Sequence, residues 1–225
     1  TSSYVRSGVT YRREMYASHP DDVIVLRFTQ SGGGRYTGSI TLTGTHGEKP
    51  AAAESFGAAL PNGLRYGAAV KARGSGGRVT VNGTRIDFAG CKDLTVVVTA
   101  GTNYAPDAAA GFRDPSLDPE RLARTKVRAA VAESADALRR THVADYRALY
   151  GRFGLSLGTS SAEQRELDTW ERLHARSRDP EPDPELEAAY LQFGRYLMIC
   201  GSRGSLPLGL QGLWLDGNDP DWMGD

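Results

Sequence analysis

The stretch DLTVVVTAGTNYAPDAAAGFRDPSLDPERLARTKVRAAVA, residues 93–132, changes its hydrophobic period midway. Up to about Asn103 it is a run of β-branched residues, apolar enough to predict a strand buried on both faces. Beyond Asp114 it predicts a helix, because Asp118 is a typical N-cap and Pro119 is favoured at the first helical position. The sequence therefore predicts strands before this stretch and helices after it.

Two hairpins are predicted in the first part of the chain. Residues 76–90, GGRVTVNGTRIDFAG, alternate apolar and polar side chains around Asn82-Gly83, a pair that predicts a type I′ turn. The apolar run 23–28 and the alternating run 36–43 flank a Gly-rich turn and predict the second hairpin. With the segments that flank them, these runs predict an antiparallel sheet, or half of a sandwich, with six or more strands.

Two helices, instead of one long helix, are predicted after Asp118. Apolar positions recur at three- and four-residue spacings as far as Tyr150, as expected of amphipathic helices. Ser134 lies within this pattern and can begin the second helix, because serine is a favourable N-cap.

The last third of the chain predicts further helices. Overlapping capping boxes that begin at Ser160 and Ser161 predict a helix over residues 162–176. Three prolines in residues 179–185 predict a loop or a helix start. The next predicted helix has Gly201 as its C′ residue, the residue just beyond its end. Six of its residues lie on one apolar stripe: Leu186, Ala189, Tyr190, Phe193, Leu197 and Cys200.

Composition excludes several classes of function. The 225 residues carry 27 basic and 27 acidic side chains, a formal net charge of zero, without the basic block that nucleic-acid binding requires. No run of about 18 apolar residues occurs, so no membrane span is predicted. Cys91 and Cys200 lack the spacing of a zinc site or a disulfide framework and are expected to be small buried residues.

Several short motifs are interpreted as structural. Residues 74–80, GSGGRVT, precede a strand and lack the third glycine of a dinucleotide loop, so a turn is favoured over a phosphate site. Residues 216–225, DGNDPDWMGD, resemble a calcium loop, but Pro220 occupies a ligand position. His19 lies near Asp21 and could be a base with an orienting acid, although a turn role is favoured. We therefore predict no metal site and no cofactor.

The segment after Gly201 is the best candidate for a binding site. Trp214 and Trp222 offer flat apolar faces of the kind on which sugars stack, and Gln211 and Asp216 offer partners for hydroxyl groups. Two tryptophans in so short and Asp-rich a segment are unusual for packing alone. The alternative is that Trp214 is a core residue.

Three segments occur in the order and approximate spacing of the landmarks of one enzyme family. They are YRREMYASHPDDVIVLRF at residues 11–28, VADYRALYGRFGLSLG at 143–158 and YLQFGRYLMICGSRGSLPLGLQGLW at 190–214. The chain thus resembles glycoside hydrolase family 95, the α-L-fucosidase family. Gly209 and Leu215-Asp216 depart from the family pattern, which usually has asparagine at these places.

The resemblance implies a multi-domain fold in which strands precede helices. It implies an antiparallel β super-sandwich portion, a helical linker and the first helices of an (α/α)6 barrel, also called a six-hairpin barrel. The expected ranges are 1–111 for the C-terminal part of the sandwich domain, 112–155 for the linker and 156–225 for the incomplete start of the catalytic barrel. The resemblance also implies a sequence truncated at both ends.

The resemblance further implies inverting hydrolysis of glycans that carry terminal L-fucose, typically α-1,2-linked, or L-galactose. The family's general acid Glu, asparagine pair and Asp are expected beyond Asp225. No catalytic residue is therefore assigned here, and this part alone is expected to be inactive. The alternatives are a non-catalytic carbohydrate-binding or structural module and a related sandwich-plus-barrel sugar phosphorylase. A secreted and a cytoplasmic parent protein both stay open.

Overall fold

The computed structural model describes residues 1–48, 50, 52–178, 181–204, 207–209, 212, 214, 215 and 217. It divides into two compact units, Thr1–Ala144 and Asp145–Asp225, with the division inside helix α2. The domain boundaries given above stay a prediction. In chain order the described elements are β1 (Ser2–Arg6), β2 (Val9–Ser18), β3 (Val23–Gln30), β4 (Tyr36–Ile40), β5 (Ser55–Ala59), β6 (Arg65–Ser75), β7 (Arg78–Asn82), β8 (Arg85–Cys91), β9 (Asp93–Thr102), α1 (Pro119–Ala132), α2 (Ala135–Tyr150), α3 (Ala162–Glu166), α4 (Thr169–Arg178) and α5 (Pro184–Gly201).

The described strands form two antiparallel sheets. The larger sheet has the order β1-β2-β3-β9-β6-β5, and the smaller sheet has the order β4-β8-β7. β9 lies between β3 and β6, and its four consecutive residues 94–97 are all buried. The predicted strand buried on both faces and the predicted order of strands before helices are therefore confirmed.

The central strands of the larger sheet are covered on both faces within the first unit. One face packs on α1 and the start of α2 through a core cluster: Val23, Val25, Ala69, Val97, Ala123, Val127, Ala130 and Leu138. The other face packs with the smaller sheet through a second cluster: Ala53, Val70, Ile86, Leu94 and Val96. Neighbouring residues of one strand serve different clusters, because successive side chains of a strand point to opposite faces.

A row of glycines lets α1 approach the larger sheet closely. Gly57, Gly67 and Gly101 pair across β5, β6 and β9. A Cβ on Gly67 would lie 2.6 Å from the backbone nitrogen of Glu120, whereas one on Gly101 would meet no atom within 4 Å. Glu120 lies in the first turn of α1 and accepts a hydrogen bond from Ser55 Oγ at 2.7 Å. The absence of a side chain at Gly67 therefore permits this helix-to-sheet distance.

The predicted hairpin between β3 and β4 is wrong. β3 pairs with β2 and β9 in the larger sheet, and β4 pairs with β8 in the smaller sheet. Both edges of β3 are thus occupied, so the Gly-rich segment after it carries the chain from one sheet to the other. Gly32 and Gly33 have φ values of 82° and 85°, which glycine adopts without steric cost.

The hairpin of β7 and β8 is confirmed, but its turn differs from the prediction. Asn82 pairs with Arg85, which places Gly83 and Thr84 at the two central positions of the turn. Gly83 has a φ of 58°, and Thr84 is not among the residues with positive φ. This pattern fits a type II′ turn with glycine first, one residue later than the predicted type I′ turn.

The first two helices follow their predicted capping residues. Asp118 accepts a hydrogen bond from Arg121 N at 3.0 Å, and Pro119 is the first residue of α1. Ser134 Oγ accepts a hydrogen bond from Ala137 N at 3.1 Å at the start of α2. The prediction of two helices instead of one is confirmed.

The predicted helix 162–176 is two helices. Ser161 and Gln164 form the predicted capping box of α3, but this helix has only five residues. Asp168 and Glu171 form a second reciprocal pair: Glu171 N donates to Asp168 at 2.8 Å and Asp168 N donates to Glu171 at 3.2 Å. This second cap begins a new helix, α4, whose separate start was not predicted from the sequence.

Helix α5 begins at Pro184, within the proline-rich segment 179–185. Of the two predicted alternatives, a loop or a helix start, the described residues of this segment thus show a helix start. Asp183 accepts a hydrogen bond from Leu186 N at 3.2 Å, and Pro184 takes the first helical position. Gly201 is the last residue of the helix and not the residue beyond it. None of the described helices, α5 included, is long and apolar enough to cross a membrane.

Candidate functional site

Of the four predicted sugar contacts, Trp214 can be placed. Gln211, Asp216 and Trp222 lie outside the described residues, so their positions stay predictions. Trp214 belongs to the second unit and follows a turn in which Gly212 N donates to Gly209 O at 3.1 Å.

The indole of Trp214 lies against two glycines and leaves about half of its surface open. A Cβ on Gly212 would lie 2.7 Å from the indole Cζ3, and one on Gly201 would lie 3.4 Å from the same atom. Gly212 has a φ of 59°, which other residues rarely adopt. The Trp214 side chain is 49% exposed. It is thus fixed along one edge while apolar surface remains available, which suits a wall on which a sugar ring stacks.

The chain is also fixed where it leaves α5. Arg203 forms a bidentate ion pair with Asp145, with nitrogen-to-oxygen distances of 2.7 and 2.9 Å. Ser202 Oγ donates to Met198 O at 2.5 Å and so covers one of the last carbonyl groups of the helix. These bonds hold the start of the segment that carries Trp214.

Aromatic rings pack α5 against the last turns of α2 inside the second unit. The ring of Tyr146 lies 5.4 Å from that of Tyr150 and 6.0 Å from that of Tyr196. The guanidinium of Arg195 lies 5.2 and 4.8 Å from the ring centroids of Tyr150 and Phe153, and donates to the backbone oxygen of each at 3.2 Å. These contacts orient the helix whose end supports Trp214.

A buried ion pair joins α4 to the start of α5. Arg172 donates to the two carboxylate oxygens of Asp183 at 2.9 and 2.6 Å, and Ser160 Oγ donates to the same carboxylate at 2.5 Å. The hydrogen bonds from Arg172 hold the pKa of Asp183 well below its usual range. Because its lone pairs are already engaged, this carboxylate serves the fold and is unsuited to act as a general base.

The other residues considered from the sequence have structural positions. His19 lies in the turn between β2 and β3, where its carbonyl oxygen accepts from Asp22 N at 3.2 Å. This is the favoured turn role. Cys91 is buried and Cys200 is half-buried. Within the described part of the chain, no group of three or more His, Cys, Asp or Glu residues could hold a metal ion.

A groove in the first unit was not predicted from the sequence. It has a volume of about 500 Å³ and is lined by Asn62, Leu64, Tyr104, Gly111, Phe112 and Arg113. We call it the Tyr104 groove. Tyr104 and Phe112 both belong to the segment between β9 and α1, where sequence alone gives no reason to expect the two rings close together. The Asp107 and Gly111 turn residues are the signal that could have indicated a closed loop.

The contact of Trp214 with Gly201 leads to a prediction about the fluorescence of its indole. A Cβ at this position would lie 2.3 Å from Leu208 Cδ1, so Gly201→Ala should displace Leu208 and with it the indole. We expect the Trp214 fluorescence emission to shift to longer wavelength, measured in a background where Trp170 and Trp222 are phenylalanine.

Gly194→Ala is the matched control for Gly201→Ala. Gly194 lies in the same helix, and a Cβ there would meet no atom within 4 Å. The control should leave the emission unchanged and stabilise the helix by up to about 1 kcal/mol. An unchanged spectrum for Gly201→Ala would contradict the placement of Trp214.

Comparison with family models gives two matches. Residues 134–225 match the glycosyl hydrolase family 95 catalytic domain, a range that includes Trp214. Residues 1–107 match the glycosyl hydrolase family 65, N-terminal domain. The two matches, with antiparallel sheets followed by helices, fit a sandwich-then-barrel arrangement.

Three proteins similar to this chain carry alpha-fucosidase names. "Probable alpha-fucosidase A" of Aspergillus niger is 30% identical over 243 residues, which cover 100% of this chain and 30% of that protein. "Alpha-L-fucosidase 2" of Arabidopsis thaliana is 26% identical over 255 residues, covering 99% and 30%. "Probable alpha-fucosidase A" of Aspergillus oryzae is 33% identical over 137 residues, covering 59% and 19%. The chain therefore spans 30% or less of the length of these relatives.

Proposed function

We propose, from the confirmed resemblance of this chain to glycoside hydrolase family 95, that its protein is a glycoside hydrolase of the fucosidase type. The proposed substrate is a glycan with a terminal L-fucose, α-1,2-linked, or a terminal L-galactose. The observation that carries the proposal is the alignment of 100% of this chain with "Probable alpha-fucosidase A" of Aspergillus niger at 30% identity. The Trp214 segment, which lies in the family 95 match, supports it independently through its geometry.

The proposed contribution of this chain is substrate binding and not proton transfer. The half-exposed indole of Trp214 offers an apolar face to the ring of the sugar. In the same unit, Asp183 and Asp145 are engaged in ion pairs with arginines, and neither carboxylate is poised to transfer a proton. Inverting hydrolysis needs an acid and an activated water on opposite faces of the sugar. We assign those roles to the family residues expected beyond Asp225.

Release of fucose tests the proposal. The full-length protein that contains these residues should hydrolyse 2′-fucosyllactose to L-fucose and lactose, without added phosphate. Proton NMR during the first turnovers should show β-L-fucose, because inversion changes the anomeric configuration of the α-linked sugar. Formation of fucose 1-phosphate, only when phosphate is present, would favour the phosphorylase alternative. No reaction with either α-1,2-fucosides or α-L-galactosides would contradict the proposed activity.

Trp214→Ala should lower kcat/KM of the full-length protein for 2′-fucosyllactose by about tenfold, through loss of the stacking surface. Trp170→Ala is the matched control, because Trp170 is a 69% exposed tryptophan on α4 of the same unit. The control should change kcat/KM by less than about twofold. Equal effects of the two replacements would argue that Trp214 has no special part in binding.

A further inference from the structure

The Tyr104 groove presents two aromatic rings in a parallel arrangement. The ring centroids of Tyr104 and Phe112 are 6.3 Å apart, and their planes differ by 3°. The two side chains are 43% and 50% exposed, so neither is a core residue. Both rings line the groove, and together they give it an apolar platform.

Backbone hydrogen bonds hold this platform in place. Ala105 N donates to Phe112 O at 3.0 Å, and Phe112 N donates to Asp107 O at 2.8 Å. The side chain of Asp107 also accepts from Ala109 N at 2.9 Å, which closes the far end of the loop. The rings are therefore presented by a preorganised backbone, which reduces the entropy that binding would cost.

The backbone of Phe112 is in a conformation that suits glycine. Its φ is 59°, in the left-handed region that bulky side chains rarely adopt. Glycine would adopt the same φ without strain. Phe112 is half exposed, so burial of its ring contributes only part of its possible stabilisation. Strain kept at an exposed aromatic residue points to a use for the ring itself.

Polar groups line the groove beside the platform. Arg113 Nε donates to Gly111 O at 3.2 Å and its Nη1 donates to Asn62 O, which fixes the guanidinium and leaves Nη2 available. Asn62 Oδ1 accepts from Leu64 N at 3.0 Å, which leaves the amide NH2 group available as a donor. An apolar platform with fixed donors at its edge is the combination that recognises a sugar ring and its hydroxyl groups.

We propose that the Tyr104 groove binds a neutral pyranose. The apolar C–H face of the sugar lies on Tyr104 and Phe112, and its hydroxyl oxygens accept hydrogen bonds from Arg113 Nη2 and the Asn62 amide. A groove of about 500 Å³ accommodates one or two such rings. The inference does not rest on the proposed hydrolysis, because every lining residue belongs to the first unit.

Titration of the 225-residue chain with pyranosides tests this inference. We expect saturable binding of methyl β-D-galactopyranoside or methyl α-L-fucopyranoside. Saturation-transfer NMR measures this binding. Tyr104→Ala and Phe112→Gly should each weaken binding by about tenfold or more, the effect of losing one stacking contact. Phe112→Gly should leave the thermal midpoint unchanged or raise it, because glycine relieves the strain at φ 59°. A purely structural role of the ring would lower that midpoint.

Two controls distinguish binding in the Tyr104 groove from non-specific binding. Tyr4→Ala removes a 41% exposed tyrosine of the same unit, outside the groove, and should leave the affinity within about twofold. D-Mannitol has the hydroxyl groups of a hexose but no ring face, and should not bind. The inference is overturned if neither pyranoside binds saturably, if the two groove variants bind like the unchanged chain, or if mannitol binds equally well.

Discussion

Gly67→Ala is expected to lower the free energy of unfolding of the first unit by about 3 kcal/mol, near the upper end for overpacking. The new Cβ would lie 2.6 Å from the nitrogen and 2.7 Å from the Cα of Glu120. Both are backbone atoms, so no side-chain rotation can relieve the contact. Helix α1 must move away from the sheet, which loosens the core cluster between them.

Labelling of Cys91 measures this loss in the first unit alone. Cys91 is 0% exposed in that unit, so its thiol reacts only when the unit opens. Mass spectrometry can separate this site from Cys200. We expect the urea concentration at which half of the Cys91 thiols become reactive to fall clearly in Gly67→Ala.

Gly101→Ala is the matched control for Gly67→Ala. Gly101 pairs directly with Gly67 in the neighbouring strand, yet a Cβ there would meet no atom within 4 Å. The control should therefore leave the labelling midpoint unchanged or raise it slightly, because glycine weakens a strand. Equal destabilisation by the two variants would show that strand propensity, and not the approach of α1, decides the result.

Local signals predicted three helix starts and the hairpin of β7 and β8 correctly. The caps at Asp118 and Ser134 and the capping box of Ser161 with Gln164 are as predicted, because each depends on a hydrogen bond within three residues. The pairing of β3 could not be predicted in this way. Its partner β9 lies more than 60 residues away, and the alternating pattern of β4 fits a hairpin or a second sheet equally well.

The two candidate sites also differ in how far the sequence could indicate them. Trp214 could be proposed from the sequence because its residue type and its neighbours are unusual, and its role in binding stays a prediction. The Tyr104 groove could not, because Asn62 lies about 40 residues before the loop and no local pattern connects them. The strain at Phe112 is likewise invisible in a sequence, since it is a property of the folded backbone.

Asp183→Asn is expected to destabilise the second unit by about 3 kcal/mol at pH 7, the cost of leaving a buried partner charge unpaired. The side chains of Asp183 and Arg172 are 3% and 17% exposed. Asparagine keeps the shape of the side chain and can still cap α5, so the change isolates the charge of the carboxylate. Ser160 would also lose its charged acceptor.

The destabilisation should depend on pH in a defined direction. The hydrogen bonds from Arg172 lower the pKa of Asp183 in the folded state. A carboxyl with a lowered folded pKa contributes stability above its unfolded pKa of about 3.9, and loses it as the pH falls through that value toward the folded pKa. The difference between the unchanged chain and Asp183→Asn should therefore be constant from pH 7 to about pH 5 and shrink below about pH 4.

Tryptophan fluorescence reports this transition selectively, because Trp170, Trp214 and Trp222 all lie in the second unit. Glu185→Gln is the matched control: Glu185 pairs with Arg165, but the two side chains are 36% and 49% exposed. Solvent screens an exposed pair, so at each pH Glu185→Gln should have the same urea midpoint as the unchanged chain. A midpoint of Asp183→Asn that equals that of Glu185→Gln at pH 7 would contradict a stabilising role for the buried pair. A difference that persists undiminished at pH 3 would contradict a contribution from the charge of Asp183.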